Sequence, residues 1–448
     1  MEPGSTASIK TARTLLPVLF AVNVFRAAML SITPPEAATY NRFVGPPLRE
    51  AFALTTANNH VLNTLLARIS TSVFHLTDLS LRLPSLLGGA LYLWAVYRLA
   101  RRHFGSGPLF LAAVALLSLN PLVLDYLSMA RGYGLALAFW MWALEFLNPP
   151  VTARNLNLAG MCLGLSVAAN LSFLVPAVAL LTVAPHPRSL RVTHFLIPAF
   201  LTAFLILAIP LNHTDFATFN HGATSLRQTM NSLTALSLPV GQASWPAVFA
   251  SVRIGAAMLA LATLVLALRL GDASRLPLDR LTFILGCTMG VSFAALEVGH
   301  RAFKIAFPLG RSALYFVPIL TLAGLCLVRR IGWKPLQWAA LLAAGVYLFQ
   351  FHVRTYSEWR EYANGRALVK AIRQDAPLAP VRVAASPGWD QVLNYYRARY
   401  ALGRWAPVQA VPSAGSFDYY VLKREDAAAM GERHLHVVFR DGQVSVAR

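Results

Sequence analysis

Apolar residues run in blocks of about 17 to 25 from residue 14 to residue 353, separated by short polar connections, and beyond residue 353 the pattern changes. Blocks of that length are what a helix needs to cross the hydrocarbon core of a bilayer. They predict spans near 14–33, 81–99, 108–124, 133–148, 156–169, 172–184, 194–211, 247–268, 281–299, 312–328 and 335–353, eleven in all. The fifth and sixth are short and meet at "ANLS", so separate spans, one kinked helix and a re-entrant pair all fit. After Tyr362 a helical period in "RALVKAIRQDA" gives way to strand-like "VRVAAS", a helix "WDQVLNYYRARYAL", and strand-like "DYYVLK", "HLHVVFR" and "QVSVA". The chain divides into a membrane domain, 1–353, and a small α/β domain, 354–448.

Composition sharpens this reading. With 56% hydrophobic and 13% charged residues the chain lacks the charge a soluble surface of this length requires. The first run has no small-x-small cleavage site and reads as a retained signal anchor. The net charge of +20 raises the question of nucleic acid, but the cations flank apolar runs instead of clustering. With the N-terminus inside, the inner segments hold fourteen Lys and Arg and the outer loops before residue 354 hold eight, which is the positive-inside bias. The odd span count then leaves 354–448 outside, as a structural or acceptor-positioning domain. Cys162, Cys287 and Cys326 lie in separate apolar runs, so neither a disulfide nor a zinc site is expected.

The outer side offers three long segments, 34–80, 212–246 and the tail. In the first, "HVLNTLLARISTSVF" puts Val61, Leu62, Leu65, Leu66, Ile69 and Val73 on one helical face, as a helix in the interface or a lid over the bundle would have them. Of 19 acidic residues, six fall on the outer side of the bundle: Glu36, Glu50, Asp78, Asp125, Asp215 and Glu297. Nine tail acids, Glu358 among them, are set aside, and Glu50, Asp78 and Asp215 read as solvated groups. Glu36 follows a Pro-Pro that ends the first span, and Asp125 ends the third. Glu297 stands beside His300, Arg301, Lys304 and Arg311. Arg301 and Lys304 fit lipid head groups as well as a substrate. Arg131 sits in a short connection between two apolar runs and needs an anionic partner, either Asp125 or a bound phosphate. Arg26 and Arg253 are the cations placed within spans.

In this order, Glu36, "ANNHVLNTLLARIS", "LRLPSLLGGALYLWAVYRLARRHFG", "LDYLSMARGYGLALAF", "GLSVAANLSFLVPAVAL" and "GRSALYFVPI" resemble the bacterial GT-C glycosyltransferases over roughly residues 14–330. The similar groups are the protein O-mannosyltransferases, the lipid A aminoarabinose transferases and the lipopolysaccharide-core transferases. The resemblance implies a GT-C fold and transfer of a sugar from a polyprenyl phosphate to a hydroxyl on the outer face, with inversion. It implies an acidic motif just after the first span; the family pair, Asp-Glu or Asp-Asp, here reads Pro35-Glu36. Glu36 is then the expected general base, with Asp125 next in line. Arg131, Arg311, His300, Arg301 and Lys304 are expected at the donor phosphate, and Asn59, His60 and Tyr133 at the substrate. His60 fits a structural role equally. The lipid-linked sugar is a substrate, no cofactor or metal is called for, and the partners are a glycan, lipid or protein acceptor and membrane lipid, with no nucleic acid. The implied location is a bacterial inner membrane, with 354–448 periplasmic. A flippase carrying a lipid-linked sugar without chemistry, an O-antigen ligase or polymerase and a catalytically dead GT-C scaffold stay open.

Overall fold

The computed structural model describes residues 3–52, 56, 58–184, 188–215, 222–239, 246–271, 276–376, 380–411, 416–426, 435–441 and 444–448. Helices occupy the places the apolar blocks predict. In chain order they are α1 (Pro3–Met29), α2 (Pro34–Thr39), α3 (Leu48–Ala51), α4 (Val61–Phe74), α5 (Asp78–Phe104), α6 (Pro108–Leu119), α7 (Pro121–Tyr126), α8 (Tyr133–Phe146), α9 (Ala153–Ala169) and α10 (Leu174–Val183). There follow α11 (Arg188–Arg191), α12 (Ile197–Asn212), α13 (Leu226–Ser237), α14 (Pro246–Leu270), α15 (Pro277–Phe303), α16 (Phe316–Ile331), α17 (Lys334–Gln350), α18 (Gly365–Asp375) and α19 (Trp389–Arg399). Five segments, Thr6–Met29, Asp78–Phe104, Val192–Asn212, Ala250–Leu270 and Pro277–Phe303, are each long and apolar enough to cross a membrane, with shorter apolar helices beside them.

Two predicted spans are interrupted. The block at 108–124 divides at Asn120–Pro121, where the Asn120 carboxamide oxygen accepts from the Val123 N–H at 3.2 Å and caps α7. The fifth and sixth spans are separate helices, α9 and α10. They meet at Asn170, whose Oδ1 accepts from the Ser172 N–H at 2.9 Å and whose extended backbone ends α9. The second break lies beside the cluster described below.

Helix α4 turns its polar residues toward the protein. Asn63, Thr64, Ala67 and Ser70 are buried against the protein, while Ile69, Val73 and Phe74 are exposed. Of the predicted apolar face, Ile69 and Val73 look outward, while Val61 is buried and Leu62, Leu65 and Leu66 pack half-buried against the core.

The tail forms a five-stranded sheet of β1 (Val383–Ala385), β2 (Gln409–Ala410), β3 (Tyr419–Lys423), β4 (Val437–Asp441) and β5 (Val444–Ala447), in the order β2-β1-β3-β5-β4. Strand β1 runs parallel to β2 and β3, and the β3-β5-β4 edge is antiparallel. Its core is continuous with the first loop: Ile32, Ala37, Val44, Ala67 and Leu81 pack in one cluster with Tyr362, Leu368, Trp389 and Tyr395. Asp78 bolts the two together. Read from sequence as solvated, it is buried, ion-paired to Arg366 and Arg399 of the tail, and accepts from the Tyr395 hydroxyl at 2.8 Å. Its partners lie 288 and more positions along the chain, out of reach of any local pattern.

Candidate functional site

The site is built where the first loop, the α7–α8 turn, the start of α10 and the segment after α17 converge. The α7–α8 turn, residues 127–132, is held on both sides. The Ala130 N–H donates to Glu36 at 2.6 Å, and the Arg131 carbonyl accepts from Ser85 at 3.1 Å. Gly132 admits a close approach that no other residue would allow. A Cβ there would stand 1.8 Å from the Ala169 carbonyl oxygen and 2.9 Å from the His60 Cβ. The turn is thereby pressed against both the first loop and the α9–α10 break.

Arg131 is buried and bonds only neutral groups. Its guanidinium donates to the Pro35 carbonyl at 3.2 Å, the Thr39 hydroxyl at 3.0 Å and the Asn58 side chain at 3.2 Å, and its Nε has no partner among the described residues. Around it Asn59, His60, Asn63 and Asn170 are also buried. Asn59 Nδ2, His60 Nε2, Asn63 Nδ2 and Asn170 Nδ2 likewise lack partners among the described residues. Buried polar groups are normally satisfied, so orphan groups gathered in one place are ones that water or a polar ligand satisfies. Burial, and after it the charges of Arg131 and Arg311, lower the His60 pKa well below the usual histidine value, leaving a neutral imidazole.

An aromatic row leads from this end to a carboxylate. The His60 and Tyr133 rings lie 5.2 Å apart, the Tyr133 and Tyr126 rings 4.7 Å, and the Tyr126 hydroxyl donates to Glu358 Oε2 at 2.8 Å. Arg311 pairs with Glu358 Oε1 and covers the Trp359 ring at 5.5 Å. Glu358 belongs to the turn Ser357–Tyr362. That turn is fixed by the Ser357 N–H donating to Asp125 at 2.8 Å and by Tyr356 buried 4.7 Å from Arg26 and 5.4 Å from Arg82.

Two sequence expectations change here. Glu36, expected as the base, is engaged on every side. Its carboxylate takes both arms of Arg82 at 2.7 Å, the Ala130 N–H at 2.6 Å, and the Thr33 N–H and hydroxyl at 2.9 Å. Five donors on a group with about four lone-pair positions leave none free. Asp125 does not hold Arg131; it pairs with Arg26 and with the Ser357 N–H. The other half of the expectation for Arg131, a bound anion, is the one its neutral surroundings favour.

Of the remaining residues, Asn59, His60, Tyr133, Arg131 and Arg311 are brought together. His300, Arg301 and Lys304 are not. His300 bonds the Ile305 carbonyl at 3.0 Å, Lys304 is exposed, and Arg301, 78% exposed, pairs with Glu297 one helical turn back. No contact joins these three to the buried cluster among the described residues. Sequence reading missed Arg82, Tyr126, Asn63, Asn170 and Glu358. Arg82 carried a signal, being a cation at the start of an apolar span, where charge requires a partner. For Glu358 the signal was "TYSEWREY", an aromatic and charged string directly after the last apolar run.

The sequence profile of the dolichyl-phosphate-mannose-protein mannosyltransferase family matches residues 61–213, about a third of the chain. No curated protein matches in sequence. In the apo state, ArnT from Cupriavidus metallidurans is similar in structure, with a TM-score of 0.51 and 16% identity, covering 99% of this chain and 98% of its own. The same protein bound to undecaprenyl phosphate gives 0.48 at the same identity and coverage. The Archaeoglobus fulgidus oligosaccharyltransferase in complex with zinc and sulfate gives 0.42 at 13% identity, covering 93% of this chain and 69% of its own. The chain thus shares the fold of ArnT, and its stretch from α4 to α12 is similar to the mannosyltransferase family.

Proposed function

We propose that this protein moves a sugar from a polyprenyl-phosphate carrier to an acceptor hydroxyl at the outer face of a bacterial inner membrane, with inversion at the anomeric carbon. The observation that carries the reading is Arg131, a buried guanidinium whose partners among the described residues are all neutral. A buried cation without an ion-pair partner is costly, and a phosphate would supply both the charge and acceptors for the orphan amide and guanidinium donors. The family profile names a dolichyl phosphate sugar and ArnT has been solved with undecaprenyl phosphate; both are polyprenyl phosphates.

A second feature fits the carrier. An apolar cleft of about 670 Å³ lies between α13, α14, α15 and α16, lined by Met230, Ile254, Leu261 and Phe293 with Arg227 and Arg253 at its wall. Helix α13 joins the cleft to the cluster, because Ser232 on it accepts from the Gly310 N–H at 2.8 Å, one residue from Arg311. In this reading the hydrocarbon chain takes the cleft and the head group takes Arg131, with α13 between them. Phosphate is a good leaving group, and what the chain supplies is a cation where charge develops as the glycosidic bond breaks. Asn59, His60 and Tyr133 then face the head group and sugar. With the N-terminus inside, the cluster and residues 354–448 lie on the periplasmic side.

The test is binding of undecaprenyl phosphate to purified Arg131→Gln and Arg131→Lys proteins. Loss of a desolvated charge-assisted contact costs on the order of 2 to 5 kcal/mol, so affinity should fall at least about thirty-fold in Arg131→Gln. Lysine should restore little, since it cannot reproduce the planar fork. Wild-type affinity in a correctly folded Arg131→Gln protein would sink the reading.

A further inference from the structure

Direct displacement at an anomeric carbon needs a group to take the acceptor's proton, and among the described residues of the first loop no open carboxylate stands at the cluster. Among the described residues, three carboxylates approach the cluster. Glu36 is 0% exposed and has five donors on its two oxygens. Asp125 is 4% exposed, closed in by Arg26 and the segment it anchors. Glu358 is 25% exposed, and among the described residues only Arg311 and the Tyr126 hydroxyl donate to it, one on each oxygen. It keeps a spare lone pair on each oxygen and a side open to solvent.

We propose that Glu358, carried by the segment that links the membrane domain to the tail, is the general base of the transfer, oriented by Arg311 and Tyr126. The inference rests on the donor reading given above. The contacts run from His60 and Arg131, where the phosphate is assigned, through the Tyr133 and Tyr126 rings to Glu358. These contacts tie Glu358 to the phosphate end through two rings, and the displacement has the anomeric carbon between base and leaving group. In the step, the acceptor O–H proton passes to a Glu358 oxygen while the acceptor oxygen bonds to the anomeric carbon. The bond from that carbon to the phosphate oxygen breaks, and its electron pair leaves on the phosphate held by Arg131. The proton on Glu358 is then released to solvent through its exposed side.

This assignment explains why the linker is fixed so firmly. Ser357 is tied to Asp125, Thr355 accepts from Arg26 at 3.3 Å, and Trp359 lies under Arg311. A catalytic group must be held within a fraction of an ångström of its productive position, and these contacts hold the residues on either side of Glu358.

The experiment compares wild type, Glu358→Gln and Glu358→Asp in two readouts: envelope glycan profiles of a deletion strain complemented with each, and binding of undecaprenyl phosphate to each purified protein. Loss of a positioned base lowers the rate about a hundredfold to ten-thousandfold. Glu358→Gln should therefore lose the glycan while binding undecaprenyl phosphate with wild-type affinity. Glu358→Asp should fold, bind normally and transfer at a reduced rate, its carboxylate about one methylene short. Wild-type transfer by either variant overturns the proposal, as does loss of undecaprenyl phosphate binding in Glu358→Gln, which would make Glu358 a support for the phosphate end. Should Glu358→Gln fail to fold, the Glu358→Asp result decides alone. If wild-type protein does not bind undecaprenyl phosphate at all, it is the donor reading that falls, and this outcome is distinct from the others.

Discussion

Two glutamate–arginine pairs flank the same cluster, one from the first loop and one from the linker to the tail, and they are built differently. Glu36 and Arg82 are wholly buried, bidentate, and supported by carbonyls of Ala27, Leu30 and Ser31 that accept from the Arg82 guanidinium between 2.8 and 3.1 Å. Glu358 and Arg311 are each one-quarter exposed and share their site with Tyr126. A saturated, buried pair fixes geometry. An open pair with spare lone pairs can exchange a proton or a partner. The difference separates the acid that shapes the site from the acid proposed to work in it, although sequence position alone favours the former.

The largest effect should come from breaking the buried pair. Removing one partner leaves the other charge uncompensated, at a cost of about 3 to 5 kcal/mol. Glu36→Gln should markedly lower the thermal unfolding midpoint and lose activity with it, because the Ala130 contact that sets the Arg131 turn goes too. Glu358→Gln, at a quarter-exposed pair screened by solvent, should shift stability by less than about 1 kcal/mol. Differential scanning of the two proteins is the check. An inactive Glu36→Gln protein as stable as wild type would return the base to the first loop.

Next comes the close approach that presses the turn against the site. Gly132→Ala places a methyl where the Ala169 carbonyl oxygen now sits, so the backbone of either segment must move. Overpacking of this kind costs typically about 1 to 3 kcal/mol. Undecaprenyl phosphate affinity should fall together with stability, because Arg131 adjoins the displaced residue. A variant that binds normally would show that the turn does not set the phosphate end.

These contrasts also show what the sequence could disclose. The helices follow from apolar length, and the tail's α18, α19, β1, β3, β4 and β5 from changes in period, because both are local signals. Arg131 was legible for the same reason, a cation between two apolar blocks with nowhere to reach solvent. The roles of the acids were not, since each depends on a distant partner. Arg82 meets Glu36 across 46 positions, and Tyr126 meets Glu358 across 232. Glu358 lies just five residues past the last predicted span, so dividing the chain into membrane domain and tail assigned it away from the cluster it enters. Strand β2, two residues long, carries too little pattern to be read.

A pH-dependent term sharpens the comparison at its phosphate end. His60 is buried neutral, with its folded pKa pushed below the usual value of 6.5 by burial and by Arg131 and Arg311. Below that pH the unfolded chain takes up a proton that the folded protein refuses, so the unfolded state binds more protons and stability falls as pH drops. The slope is up to about 1.4 kcal/mol per pH unit, and the term is flat above pH 6.5. His60→Gln should remove this slope. The difference in unfolding midpoint between wild type and His60→Gln, measured from pH 7.5 to 5.5, should change only in the lower part of the range. A constant difference across it would mean that His60 titrates normally.

The smallest effect belongs to a third glutamate–arginine pair, Glu297–Arg301, which sequence position grouped with the phosphate ligands. Its guanidinium is 78% exposed and its partner is one turn away on α15, the arrangement of a solvated helix surface. Such pairs contribute about 0.3 to 0.5 kcal/mol and are screened by salt. Arg301→Gln should leave stability within about 0.5 kcal/mol of wild type. Combined with Lys304→Gln it should leave undecaprenyl phosphate affinity within about twofold, because neither side chain reaches the buried cluster, and what interaction remains at this range is screened by solvent and salt. A tenfold loss in the double variant, measured at about 0.15 M salt, would show that charge at this rim does steer or hold the head group. The pair's exposure would then be a poor guide to its role, and the burial contrast between the other two pairs would lose its force with it.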